Sequence, residues 1–248
     1  GGMPVLLWPD TFTDHFHPQT GVAAVRVLQD AGCGVSLPSR WVCCGRPLYD
    51  WGMLGHARRL LSRTLRVIGD EIDAGVPVVV LEPSCASVFR EELTDLLPRD
   101  RRAGRLAAQT YTLAEFLDQH RPDWTPPRVA GPLLAHGHCH DRSVLDFAAG
   151  QRLLERAGGA VNVPAAGCCG MAGAFGFEAA HYDVAQAVGE QELLPAVRAA
   201  PEGTTVVADG FSCREQIRQG TGRAPVHLAD VLAAGLGQAT ATITGPGP

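Results

Sequence analysis

The chain repeats itself. "VLQDAGCGVSLPSRWVCCG" (27–45) and "LLERAGGAVNVPAAGCCG" (153–170) follow one pattern with a one-residue gap, and each ends on Cys-Cys-Gly. Upstream of each lies a short apolar segment, "PVLLW" (4–8) and "GPLLAH" (131–136). Downstream, "VPVVVLEPSC" (76–85) parallels "TTVVADGFSC" (204–213), and "LAEFL" (113–117) parallels "LADVL" (228–232). Each half therefore reads strand, helix, short strand, Cys-Cys-Gly turn, long helix, buried strand, cysteine turn and further helices. Strands alternating with helical patterns predict an α/β fold with a parallel sheet and helices packed outside it. The expected architecture is two duplicated Rossmann-like parallel α/β units, related by a pseudo-two-fold, with their cysteine loops facing a shared cleft.

The segment "RPDWTPPRVAG" (121–131) separates the halves, because its three prolines prevent both helix and central strand. The reading is a first unit at 1–121, a proline-rich linker at 122–131, a second unit at 132–238 and a fraying tail at 239–248. Apolar residues at helical spacing predict helices over 18–31, 53–74 and 143–157. Pro195 is expected to break or restart a helix within 178–199.

Composition narrows the function. The chain has 248 residues, enough for one large or two smaller cores. No run approaches the roughly 18 apolar residues of a membrane span. The N-terminus shows no basic segment followed by an apolar stretch, so a cytoplasmic protein is expected. All 21 basic residues are arginine and the net charge is −5; without a basic run, nucleic acid is not an expected partner. Eight cysteines without a secretory signal are read as thiols used for metal or redox chemistry rather than as a disulfide framework. Cys33 is the exception, read as a small buried hydrophobe.

In both halves the remaining cysteines fall just past strands, at the sheet edge where open α/β folds bind ligands. The second half supplies Cys139, Cys168, Cys169 and Cys213. Four thiolates from three loops suit a [4Fe–4S] cluster or a tetrahedral zinc. Adjacent cysteines reach one site only from a turn, which Gly45 and Gly170 permit. The first half has Cys43, Cys44 and Cys85, but the position matching Cys139 falls near Phe12 and holds no cysteine. Either Asp10, His15 or His17 completes that set and favours zinc, or the site is empty. His136, His138 and His140 alternate, so an extended chain would turn them away from Cys139. The glycines of "GCCGMAGAFGFE" (167–178) lack the dinucleotide-binding spacing and are read as close packing around a cluster. No nucleophile elbow, zinc-protease motif or P-loop is present, and no catalytic residue is assigned.

With these residues in view, the doubled units resemble the cysteine-rich (CCG) domain pair found in heterodisulfide reductases. They also resemble the iron–sulfur components of glycolate, lactate and anaerobic glycerol-3-phosphate oxidation systems. The likeness is greatest to the C-terminal part of FAD-linked D-2-hydroxy acid oxidases and dehydrogenases. It is carried by "LWPDTF", "CCGRPLYD", "LEPSC", "HGHCH" and "GCCGMAGAFG" and covers about residues 4–235. The resemblance implies Cys139, Cys168, Cys169 and Cys213 as cluster ligands, and Cys43, Cys44 and Cys85 as the counterparts in the first unit. Val88 and Gln216 stand where the family's C-x-x-C would place its last cysteine, which points to one four-cysteine [4Fe–4S] site rather than a five-thiolate cluster.

The resemblance further implies an electron-transfer domain that relays electrons from a flavin to an acceptor, in an oxidoreductase of D-lactate, glycolate or D-2-hydroxyglutarate type. FAD would then lie on a partner or another domain, with ferredoxin-type domains alongside and a quinone or disulfide as acceptor. Membrane association would come only through those partners. Two alternatives remain open at this point: a cluster-based thiol–disulfide reductase, and a zinc-binding structural or docking domain.

Overall fold

The computed structural model describes residues 2–236, so the tail read at 239–248 lies outside the described residues. The chain divides into two compact units, one running to Trp124 and taking in Leu236, the other spanning Thr125–Gly235.

In the first unit the order is β1 (Met3–Trp8), α1 (Thr11–His15), α2 (Pro18–Asp30), β2 (Cys33–Ser36), α3 (Arg46–Asp50), α4 (Leu54–Val67), α5 (Gly69–Asp73) and β3 (Val78–Val80). After β3 come α6 (Pro83–Ser87), a π-helical turn (Val88–Glu92), α7 (Leu93–Leu96), α8 (Arg101–Gln109), β4 (Thr110–Thr112) and α9 (Leu113–His120). The sheet order is β2-β1-β3-β4, all parallel. The two central strands, β1 and β3, are near-continuous apolar runs, as buried strands of a parallel sheet are. Val78, Val79 and Val80 are fully buried, and Trp8 meets Phe89 edge to face at 4.7 Å between ring centres.

The second unit follows the same plan with β5 (Pro132–His136), α10 (Cys139–Ser143), α11 (Phe147–Arg156), β6 (Ala160–Asn162), α12 (Tyr182–Gly189), α13 (Leu193–Ala199), β7 (Thr205–Ala208), α14 (Phe211–Thr221) and α15 (Leu228–Ala234). Its order is β6-β5-β7, again parallel. The fourth position is reduced to a single parallel bridge, Val207 to Val226. In both units the first strand lies between the second and the third.

The expected helices are present with shifted ends. The one read at 53–74 divides at Ile68 into α4 and α5, and the one read at 143–157 begins only at Phe147. The break near Pro195 falls before it: α12 stops at Gly189, and Pro195 is the third residue of α13. A first-turn proline there removes an N–H that has no intrahelical partner anyway.

Candidate metal centre

Register places the cysteines. In the first unit Trp8, the last residue of β1, pairs with Val80, the last of β3. In the second, His136 ends β5 opposite Ala208, which ends β7. Cys85 and Cys213 each stand five residues past their strand end, at the third position of α6 and α14. Cys139 stands three residues past β5 and opens α10; the same count past β1 reaches Thr11, which opens α1 and is exposed. Cys33 starts β2, at the other end of the strand from the cysteine loops, and is buried.

The two Cys-Cys-Gly turns share one local geometry. Gly45 and Gly170 have φ of 78° and 94°, the left-handed region that a side chain would strain. That bend aims the glycine N–H back at the first cysteine of the pair: Gly170 donates to Cys168 Sγ at 3.3 Å, and Gly45 to Cys43 Sγ at 3.4 Å. The second cysteine of each pair, Cys169 or Cys44, turns into the core. Thr64 of α4 also anchors the first turn, its hydroxyl donating to the Cys43 carbonyl at 3.1 Å.

In the second unit four sulfurs form one chain of contacts, Cys139 to Cys168, Cys168 to Cys169, and Cys169 to Cys213. Each sulfur shifts the titration of its neighbour along it. Hydrogen bonds from Cys139 and Cys169 pull the Cys168 pKa far down, with the Gly170 N–H and His138 helping. Donation to Cys168 pushes Cys139 up, and donation to Cys168 and Cys213 does the same to Cys169; burial adds to both. The Cys169 hydrogen bond draws Cys213 down despite its burial, aided by His138 and His136. Cys169 and Cys213 belong to an apolar cluster with Leu134, Met171, Val206 and Ile217. Cys139 is exposed, so the site is dry on one side and reachable on the other.

The histidines depart from the alternation read in the sequence. The strand ends at His136, and His138 caps α10 by accepting the His140 N–H at its Nδ1, 3.1 Å away. The donor atoms of His138, Cys139 and His140 consequently lie within 4.8 Å of one another instead of on opposite faces. His136 is 3% exposed beside Cys213, and neither ring nitrogen has a hydrogen-bond partner of good geometry. A buried imidazole so placed, beside four convergent sulfurs, fits a site built around a metal group. The close packing that the glycines serve is against α12: a Cβ at Gly170 would run into the Ala185 carbonyl, and one at Gly176 would meet Met171 and Ala185.

In the first unit Cys43, Cys44 and Cys85 come together, with Cys44 Sγ 2.8 Å from Cys85 Sγ. Here all three are shifted upward. Donation to Cys44 and then burial raise Cys43. Cys44 is lowered by Cys43, but its donation to Cys85 and full burial outweigh this. Cys85 is lowered by Cys44, and burial with the nearby Asp10 and Glu82 carboxylates reverses that.

The last positions of the two C-x-x-C matches are turned to other uses. Val88 is buried in the π-helical turn. Gln216 is fully buried and occupied: its Nε2 donates to the Ala185 carbonyl at 3.1 Å and its Oε1 accepts from Gln186 at 3.1 Å. Sequence reading did not single out Thr64, Glu82 or the carbonyl of Ala185. The one signal was a polar residue at an apolar position of an amphipathic helix, which Thr64 is.

Comparison with known proteins gives a match to the family model described as CCG, cysteine-rich domain, over residues 10–90. The chain is 30% identical over 240 residues to the C component of anaerobic glycerol-3-phosphate dehydrogenase from Escherichia coli, covering 94% of this chain and 59% of that protein. It is 33% identical over 181 residues to lactate utilization protein A of Geobacillus kaustophilus, covering 70% of this chain and 74% of that protein. It is 26% identical over 230 residues to D-2-hydroxyglutarate dehydrogenase of Pseudomonas putida, of which it spans only 22%.

Proposed function

The chain belongs to the cysteine-rich CCG family that includes lactate utilization protein A, and from that premise we propose that it is the electron-transfer domain of an FAD-linked 2-hydroxy acid oxidoreductase. Cys139, Cys168, Cys169 and Cys213 would hold a [4Fe–4S] cluster, which supplies one-electron redox chemistry when bound. The observation that carries this reading is the single chain of sulfur contacts assembled from three segments at the carboxyl edge of the β6-β5-β7 sheet.

The chain's own residues set the conditions there. The Gly170 N–H directed at Cys168 disperses negative charge on that sulfur, a contact of the kind that tunes cluster potentials. Leu134, Met171, Val206 and Ile217 keep water from the Cys169–Cys213 side. The exposed Cys139 marks the side from which a redox partner would approach. Flavin-binding and ferredoxin-type domains would supply the electrons, and a quinone or disulfide would receive them. The occupied Gln216 weighs against the five-thiolate chemistry of a thiol–disulfide reductase.

Anaerobic purification with iron, sulfide and zinc analysis tests this. A brown protein with about four iron and four sulfide per chain supports it. One zinc without sulfide would favour the second reading, a mononuclear structural site, for which the grouping of His138, Cys139 and His140 speaks.

A further inference from the structure

Away from the cysteines, the first unit has an open cavity of about 960 Å³ between α4, the end of α5, the turn after α7 and the start of α8. Five of the chain's 21 arginines line it: Arg58 of α4, Arg99 of the turn, and Arg101, Arg102 and Arg105 of α8. Its carboxylates are Asp73 and Asp100. Five guanidinium groups thus face two carboxylates, in a chain whose net charge is −5. The Asp70 carboxylate also acts on Arg102 but lines no part of the cavity, and with it counted a positive surplus remains.

Part of this set is held in place. One oxygen of Asp73 accepts from Arg102 Nε at 3.1 Å and Nη2 at 2.5 Å, and the other accepts from Arg105 Nη1 at 2.8 Å. These side chains are partly exposed, so the fork orients the guanidinium groups more than it stabilises the fold. Arg102 also lies against the backbone of Gly69, where a Cβ would come within 2.6 Å of its Nη1. Asp100 caps α8, accepting the Arg102 backbone N–H at 2.9 Å. Arg58, Arg99 and Arg101 are exposed, and their guanidinium groups have no carboxylate partner among the described residues. Like charges gathered in one cavity repel one another until an anion enters.

The lining says which anion fits. Guanidinium groups pair bidentately with carboxylate or phosphate. A phosphate group brings three acceptor oxygens and about two charges, so a short run of them serves several arginines at once. The apolar side chains in the lining are Leu97 and Pro98, and no aromatic ring is there to stack on a base. The volume lies within the range of small-molecule sites.

We propose that this cavity binds a small polyanion carrying two or three phosphate groups, recognised by Arg58, Arg99 and Arg101 together with the N–H groups that Asp73 leaves open on Arg102 and Arg105. Binding neutralises the surplus charge and involves no covalent or redox step. No cysteine turn contributes to the lining, so the site is independent of the metal centre.

The test is calorimetric titration of the full chain with inorganic tripolyphosphate. One molecule should bind per chain, with an affinity that falls as salt is raised. Arg58→Gln combined with Arg101→Gln should weaken binding at least about tenfold. The ligand-free melting curve should stay in place, because both side chains are exposed. Arg66→Gln, on α4 outside the lining, should bind as the parent chain does. ATP should bind no more tightly than tripolyphosphate, and a hexaglutamate peptide more weakly. The proposal is overturned by absence of binding at about 1 mM tripolyphosphate, by unchanged affinity in the double variant, or by an equal loss in Arg66→Gln. Much tighter binding of ATP would replace it with a nucleotide site, and tighter binding of hexaglutamate with a docking groove for an acidic protein segment.

Discussion

Gly170 donates its backbone N–H to the sulfur of Cys168, two residues back, at 3.3 Å. The contact exists because φ at Gly170 is 94°, and Gly45 makes the same contact to Cys43 from 78°. The surroundings differ, however. At Gly170 an added Cβ would strike the Ala185 carbonyl of α12, whereas at Gly45 the nearest atom is Leu60 Cδ2 at 3.6 Å.

Gly45→Ala should therefore cost only the left-handed backbone penalty, about 1–2 kcal/mol. Gly170→Ala carries that penalty plus a collision with backbone, and the loss of stability should be clearly larger. Urea unfolding of the metal-free variants compares them. Equal losses would show that α12 gives way and that the close approach is not needed.

Iron content should depend unequally on the two units. Cys169→Ala and Cys213→Ala each remove a sulfur from the four-member chain and should abolish the main iron signal, while Cys44→Ala should leave most of it. Iron per chain and low-temperature EPR on anaerobic samples check this. Similar loss from Cys44→Ala and Cys169→Ala would mean one cluster drawing on both sets.

Gln216→Cys restores the family's C-x-x-C spelling without restoring its chemistry. The glutamine ties α14 to α12 through Ala185 and Gln186. Removing it leaves buried amide groups unpaired, at roughly 1–3 kcal/mol. The variant should be less stable and keep the same EPR signature. A changed cluster type with retained stability would show that position 216 can turn to the sulfurs.

Chelation or air should strip metal before it unfolds the chain. Each unit has its own apolar core, built on residues such as Trp8, Phe89 and Leu106 in the first and Leu153, Leu193 and Ile217 in the second. Far-UV circular dichroism and the melting curve should survive treatment with a chelator under conditions that bleach the visible absorption. A cooperative collapse on chelation would make the metal structural.

The sequence alone carried the duplication, the strand–helix alternation and the grouping of cysteines past strand ends. Those features are local: apolar period, proline and glycine punctuation, and residue counts from a strand to its following turn. Parallel strands then convert equal counts into equal heights, which is why Cys85 and Cys213 occupy matching places. What only the tertiary structure decided were the relations between segments distant in the chain. His138 reads as one of three alternating histidines until the helix it caps bends it toward Cys139 and His140. Asp10, His15 and His17 look alike as ligand candidates in sequence. Pairing of β1 with β3 buries the first beside Cys85, and the helices that follow leave the other two at or near the surface. Which polar atom is left without water or a partner depends on what packs over it, and that is set by strand register and helix placement, not by its neighbours in the chain.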